Sequence, residues 1–376
     1  MRGARVRPLA VVVSYRLGGV DGVSVEAAKW GRALEGLGFA LRTVAGAGAA
    51  DVVLPGLGAD PTVAPPPSAA LARALEGADV VVVENLCSLP LNPGAGAALC
   101  EVLARHAAVF HHHDLPWQRA HLAHLPPPAT GGRWLHVTIN DRSRRELAAS
   151  GIPARRIWNR FASPLGRGDR AGTRASLGVG ARRPLLVQPT RALPRKGIAA
   201  GLALAGALGA VYWLLGPPED GYDAELERLL AGAEAAGIEW RWPLDAAAGA
   251  SVADAYAAAD AVVLPSSWEG FGNPVLEGVA ADRPVAVGDY PVVGELRAAG
   301  LRLFRIDDPE RLRSELEAPD HALLAHNQSV LRERFSLSTL ADELRGLLRA
   351  VGVALPTSPG GEVQVGEHRR VVEADQ

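Results

Sequence analysis

The stretch Ala261–Ala280, AVVLPSSWEGFGNPVLEGVA, restricts the fold more than any other part of the chain. The apolar run Ala261–Leu264 is too short for a helix and reads as a buried strand, which Pro265 and Ser266 end. A loop with glycines at 270 and 272 follows. A helix then opens, with Asn273 as the expected N-cap and Pro274 in the first helical position, where a missing N–H costs nothing. A strand running through a glycine loop into a helix is the unit of a parallel sheet with helices on its faces. In such sheets the junction lies at the carboxyl edge, where ligands bind, and the helix N-terminus offers N–H groups to an anion. Glu269 and Glu277 bracket the junction and can accept hydrogen bonds from hydroxyl groups. The pattern therefore suits a ligand carrying both phosphate and hydroxyls. Either glutamate alone would fit a helix-dipole partner or a solvated loop charge; the pair, with the glycines and Asn-Pro between them, favours binding.

The same unit recurs along the 376 residues. Pro8–Ser14, Phe39–Ala45, Asp79–Val83, Ala107–Phe110 and Leu135–Ile139 read as strands, with helices between them. A second series follows at Pro184–Gln188, Ala210–Leu215, Ile238–Trp242, Ala261–Leu264 and Pro284–Val287. The alternation predicts an α/β chain of two doubly wound parallel domains, 1–165 and 184–335. A Gly- and Arg-rich linker is expected at 166–183, a helix within 336–353, and a polar, disordered tail over 354–376.

Composition narrows the function classes. Two cysteines, Cys87 and Cys100, make neither a disulfide framework nor a metal spacing, so a reducing, cytoplasmic setting is expected. No apolar run approaches the roughly 20 residues of a transmembrane helix. Residues 1–176 hold 20 basic and 13 acidic side chains and the remainder 19 and 28, a polarity that suits an anionic acceptor or weak contact with an anionic membrane; plain overuse of arginine fits equally well. Interleaved basic and aromatic runs are absent, which argues against nucleic acid. Only two lysines occur, Lys29 and Lys196, so each marks a place where a compact ammonium is wanted.

Three further motifs stand at strand ends. In YRLGGVDG, Gly18 and Gly19 let the backbone approach a phosphate or sugar closely, or simply make a tight turn. Gly18, Gly19 and Gly22 do not match the dinucleotide fingerprint, so no nicotinamide or flavin cofactor is expected. In PTRALPRKG, Arg191 and Lys196 flank a proline turn, a forked guanidinium and a point charge placed to hold a diphosphate. In HHHDLPWQR, a histidine at the strand's carboxyl edge would donate to a substrate. A metal site is not expected there, because neighbours on an extended chain point to opposite sides and no complementary cluster is evident. Asp114, Trp117 and Arg119 are the acceptor-side candidates, with packing the commoner role of a lone tryptophan.

With these motifs in place, the chain from Pro8 to about Arg349 resembles the retaining glycosyltransferases of family 4, the glycosyl transferases group 1. The resemblance rests on EGFGNPVLE, with Glu269 and Glu277, on PTRALPRKG, and on the glycine loop and cleft histidine near Gly18 and His113. It implies the GT-B fold, two facing Rossmann-like domains with an interdomain cleft, and a C-terminal helix that crosses back to the first domain. It also implies retaining, metal-independent transfer of a hexosyl unit from a nucleoside-diphosphate sugar, UDP- or GDP-linked, to a sugar, lipid-linked or small-molecule acceptor. The nucleoside diphosphate would depart from the face that the acceptor attacks. Glu277 would bind the ribose and Glu269 the donor sugar; Arg191, Lys196 and the backbone of Gly270, Phe271, Gly272, Asn273 and Pro274 would hold the diphosphate. His113 would contact the sugar, with His111 and His112 adjacent alternatives. A GT-B sugar-nucleotide epimerase and a non-catalytic sugar-nucleotide-binding module are the competing readings; the epimerase would need further acid–base carboxylates and histidines in the cleft.

Overall fold

Thirteen strands form two separate sheets in the computed structural model, which describes residues 7–19 and 21–356. In the first half these are β1 (Leu9–Leu17), β2 (Ala40–Gly48), β3 (Val52–Val53), β4 (Ala78–Glu84), β5 (Ala107–His112), β6 (Arg133–Thr138) and β7 (Ala154–Arg156). In the second they are β8 (Leu185–Gln188), β9 (Val211–Leu214), β10 (Trp240–Arg241), β11 (Ala261–Leu264), β12 (Val285–Val287) and β13 (Phe304–Arg305). The orders are β3-β2-β1-β4-β5-β6-β7 and β10-β9-β8-β11-β12-β13, with parallel pairing throughout. The strand order reverses beside β1 in one sheet and beside β8 in the other. Loops after β1 and β4, and after β8 and β11, therefore open into the crevices where doubly wound sheets bind ligands. Valine-rich central strands buried on both faces, such as Val80–Val83, make this arrangement stable.

The two domains are joined by two passes of chain that run parallel where they meet, at Phe161 and Ser336. Phe161 N–H donates to the Phe335 carbonyl at 2.8 Å, and Leu337 N–H to the Phe161 carbonyl at 2.9 Å. Beneath the loop before Asn273, Phe161, Phe271, Phe335 and Trp158 form an aromatic cluster with centroid separations of 4.9–6.4 Å. The helix Leu340–Ala350 then lies against the first domain, with Leu340, Leu344, Leu347 and Leu348 packed on Ala27, Trp30 and Leu34. Burying each such leucine stabilises the docking by about 2 kcal/mol.

Several elements differ from the sequence expectation. The edge strands β3 and β13 are two residues each, too short to show a period. The stretch 166–183 carries a helix, Arg170–Ser176, capped by Asp169 and packed on the helix Val252–Ala258, and Leu177 and Val179 enter the second core. The helix after β11 spans Asn273–Ala280, but its cap is Gly272 at φ 95°, so Pro274 is its second residue. Gly272 wins that position because the turn needs a left-handed residue and because a Cβ there would lie 2.4 Å from the Tyr290 hydroxyl. The tail expected from 354 lies outside the described residues from 357 onward. Among the described residues no helix is long and apolar enough to cross a membrane.

Candidate active site

The loop after β8 and the loop after β11 meet at one edge of the second sheet. Gly197, at φ 65°, turns the first loop against the Pro265 carbonyl, which a Cβ would approach to 2.2 Å. That close approach brings Lys196 to Glu269. Its Nζ lies 2.6 and 2.9 Å from the two carboxylate oxygens, with both residues nine-tenths buried. Ser266 Oγ donates to the same carboxylate at 2.6 Å, and Arg195 stands 3.5 Å away. Burial pushes the Lys196 pKa down, and the Glu269 charge opposes that shift. Arg191 pairs with Glu219. In this conformation the two cations are held by carboxylates, and Glu269 is occupied by Lys196, which the sequence reading of Glu269 as a free sugar-facing group did not anticipate.

Glu277 accepts from the Tyr256 hydroxyl at 2.5 Å. Burial raises its pKa, opposed by that hydrogen bond and by the positive charge of Lys29 in the first domain. The N–H groups of Gly270, Phe271, Gly272 and Asn273 have no protein acceptor among the described residues, as expected at a helix N-terminus that holds an anion. Trp268 Nε1, Tyr290 Oη and Asn159 Oδ1 are buried without a partner around the same loop. An unmade hydrogen bond on a buried group costs about 1–3 kcal/mol, so three around one loop favour a polar ligand there.

The first domain faces this loop closely. A Cβ on Gly270 would lie 2.9 Å from the His113 carbonyl. Asn140 Nδ2 donates to the Gly270 carbonyl at 2.7 Å, and Asn159 Nδ2 to Asn273 Oδ1 at 2.8 Å. Glu295, in the helix Val293–Ala298 of the second domain, accepts the Asp141 and Arg142 N–H groups at 2.7 Å each. It thereby caps the helix Asp141–Ala149 of the first domain. These contacts hold the cleft closed.

The three histidines have separate fates, because β5 runs two residues further than expected and alternates their faces. His112 points to one side, where Nδ1 lies 2.5 Å from Ser88 Oγ and Nε2 lies 2.9 Å from His136 Nδ1. His111 and His113 point to the other and share one oxygen of Glu84, at 2.9 and 2.8 Å. This corrects the expectation of no partner cluster: Glu84 ends the neighbouring strand β4, and 26 residues of intervening chain conceal the pairing with His111. Among the described residues these three are the one group whose ligand atoms converge closely enough for a metal ion, all within 4.8 Å of one another. Burial opposes ionisation of Glu84, but the two imidazoles outweigh it and hold its pKa at about 2. Burial likewise opposes charge on His113, yet the hydrogen bond to Glu84 and the charges of Glu84, Glu26 and Asp114 raise its pKa. His111 Nε2 is buried, and both His112 nitrogens are engaged. His113 Nδ1 alone is neither bonded nor fully buried, so His113 is the histidine that can face the cleft.

The remaining candidates are placed as follows. Gly18 adopts φ 78°, and a Cβ would meet Ala49; Gly19 sits against Asp21, which caps the helix Gly22–Gly36. Asp114 pairs with Arg119 at 3.1 Å. Trp117 packs with Leu115 and Leu147 and donates to Glu146 at 2.9 Å, a structural role. The sequence reading gave no role to Glu26 or Lys29, which form a buried pair at 2.6 Å; Lys29 also donates to the Arg160 carbonyl and stands 4.3 Å over Phe161. Lysine scarcity was the one signal pointing to Lys29.

Comparison with known proteins agrees with this fold. Residues 201–318 match the family model described as Glycosyl transferases group 1. Anabaena HepE, solved with UDP and glucose, superposes with a TM-score of 0.71 at 16% identity, covering 91% of this chain and 99% of that one. WaaG, a glycosyltransferase involved in lipopolysaccharide biosynthesis, superposes at 0.61 and 15% identity, covering 91% and 100%. The fold is GT-B. The mannosylglucosylglycerate synthase of Thermotoga maritima is 27% identical over 346 residues, 73% of this chain and 77% of that protein. The D-inositol 3-phosphate glycosyltransferase of Segniliparus rotundus is 32% identical over 198 residues, 49% and 43% of the two chains. Together these matches support a glycosyltransferase.

Proposed function

We propose that the chain is a retaining, metal-independent hexosyltransferase that uses a UDP- or GDP-linked sugar. The observation that carries the reading is that Lys196, with the charge of Arg191 near it, is held to Glu269 in the loop whose following N–H groups, Gly270–Asn273, are unpaired, with Glu277 in the helix they open. Negative charge develops on the diphosphate as the glycosidic bond breaks. Two cations and a helix N-terminus in a closed cleft stabilise that charge without a metal. Arg191 and Lys196 exchange or share their carboxylate partners as the diphosphate enters, and Glu269, released from Lys196, turns to the sugar hydroxyls. Glu277 takes the ribose hydroxyls. His113, charged through Glu84, offers Nδ1–H to the donor sugar near the reacting carbon. The acceptor hydroxyl attacks from the face the diphosphate leaves, so the anomeric configuration is retained. Acceptors that bring an anionic group or a sugar face would lie over Asp114 and Arg119, on the basic half of the chain.

The Glu84–His111–His113 cluster brings one histidine that can face the cleft and a carboxylate behind it, part of what an epimerase would require, so the two readings need separating. Incubation with a panel of UDP- and GDP-hexoses, with and without EDTA, does so. Transfer predicts release of nucleoside diphosphate that rises with added acceptor, persists in EDTA and is lost in Lys196→Met. An acceptor-independent change of the sugar, or of the sugar nucleotide, would instead favour the epimerase.

A further inference from the structure

The chain has two cysteines, and neither takes part in the site above. Twelve residues lie between them in sequence, and the fold brings them together. Cys87 stands in the loop after β4 and Cys100 in the helix Pro93–Leu103, with their sulfur atoms 3.7 Å apart. A disulfide needs about 2.05 Å, so the two sulfurs, already in contact, must approach by roughly a further 1.7 Å. Both residues are half-buried, and of the two thiols that of Cys100 is the less covered. They are unequal partners. The hydrogen bond between them, with burial, pushes the Cys87 thiol up, and the same contact lowers that of Cys100, which makes Cys100 the better thiolate.

The loop that carries Cys87 also supports the histidine strand. Asn85 Oδ1 accepts the His113 and Asp114 N–H groups at 3.1 Å each, and Ser88 Oγ lies 2.5 Å from His112. The Tyr15 hydroxyl closes the loop from inside, 2.9 and 2.6 Å from the carbonyls of Leu86 and Leu89. A bond from Cys87 to Cys100 would pin this loop to the helix behind it.

We propose that Cys87 and Cys100 are a thiol–disulfide exchange site, oxidised by a low-molecular-weight disulfide to an internal bond that clamps the 85–92 loop. The Cys100 thiolate attacks one sulfur of the small disulfide, forming a mixed disulfide and expelling one small thiolate. Cys87 then gives its proton to solvent and attacks the Cys100 sulfur, expelling the second small thiolate. Two protein thiols are oxidised and one small disulfide is reduced to two thiols, so electrons balance. The product closes a short loop, and its partner sulfur is already in contact, which favours the internal bond over a lasting mixed disulfide.

The test is treatment of the native full-length protein with oxidised glutathione, followed by thiol counting and intact mass. The expected product has no free thiols, has lost two hydrogens, carries no glutathione and reverts with dithiothreitol. Cys87→Ser should instead retain glutathione on Cys100. Closure should be roughly tenfold or more faster in the native protein than in the guanidinium-unfolded chain, because only the fold holds the sulfurs together. The oxidised protein should melt roughly 5 °C higher, a rise absent in Cys100→Ser. Two persisting thiols, a stable glutathione adduct on the wild type, or closure no faster in the native state would each overturn the proposal.

Discussion

Replacing Lys196 by methionine separates what the Lys196–Glu269 pair does for stability from what it does for transfer. Loss of one partner of a buried ion pair costs about 3–5 kcal/mol when the other charge is stranded. Here Glu269 keeps Ser266 at 2.6 Å and Arg195 at 3.5 Å, so the expected cost falls to about 2 kcal/mol. For a domain of this size that lowers the melting temperature by roughly 4–8 °C. Removing one donor to a developing charge costs about 10²- to 10³-fold in kcat. The double variant Lys196→Met/Glu269→Gln removes both charges, so most of the stability should return while transfer stays low. Calorimetry measures the first quantity and release of nucleoside diphosphate the second. Transfer in the double variant within about tenfold of wild type would refute the reasoning, because the lysine would then be only a counter-ion.

Other residues give sharper or simpler outcomes. Glu84, held at about 2 by His111 and His113, contributes stability that is present above its ordinary carboxylate value and lost as pH falls toward 2. That difference is worth roughly 3 kcal/mol, so acid unfolding profiles of wild type and Glu84→Gln should diverge above about pH 4.5 and converge near 2. His113 has the opposite sign: its raised pKa adds stability that is full below its ordinary value and fades as pH rises through the higher one, and Glu84→Gln should shift the basic limb of the pH–rate profile downward. Glu295→Ala frees the two N–H groups of the helix Asp141–Ala149, and small-angle scattering should show a more open molecule with a KM raised about tenfold. Gly270→Ala should push the His113 carbonyl away, lowering transfer while each domain melts as before; an unchanged rate would mean that the closed contact does not form during turnover.

The sequence exposed the fold where a period was long enough to read. The strand-loop-helix units at Val262 and Leu186 were legible because four-residue apolar runs end in Pro and Gly punctuation. Two-residue strands such as Phe304–Arg305 and the helix Pro309–Glu317, which is mostly charged, gave no such signal. The donor-side motifs were local in sequence, so Arg191, Lys196, Glu269 and Glu277 were visible as candidates. Their pairing was not. Lys196 and Glu269 are 73 residues apart, and only the close approach of Gly197 to Pro265 brings them together. The Glu84–His111–His113 cluster was hidden for the same reason, since strand adjacency between β4 and β5 is a tertiary fact. The Glu295 cap was hidden too, because a carboxylate in one domain reveals nothing about a helix end in another.

The function proposed for this chain depends on a nucleoside-diphosphate site built from the 189–197 and 269–277 segments. It is tested most directly by melting wild type and Glu277→Ala with UDP, GDP, ADP and dTDP, each with and without EDTA. A ligand that binds only the folded state raises the melting temperature by mass action, by about 2.7 kcal/mol of stability at a hundred times Kd. One nucleotide should stabilise wild type equally in EDTA, and Glu277→Ala should lose the shift. A shift abolished by EDTA, or one that survives in Glu277→Ala, would contradict the proposed site.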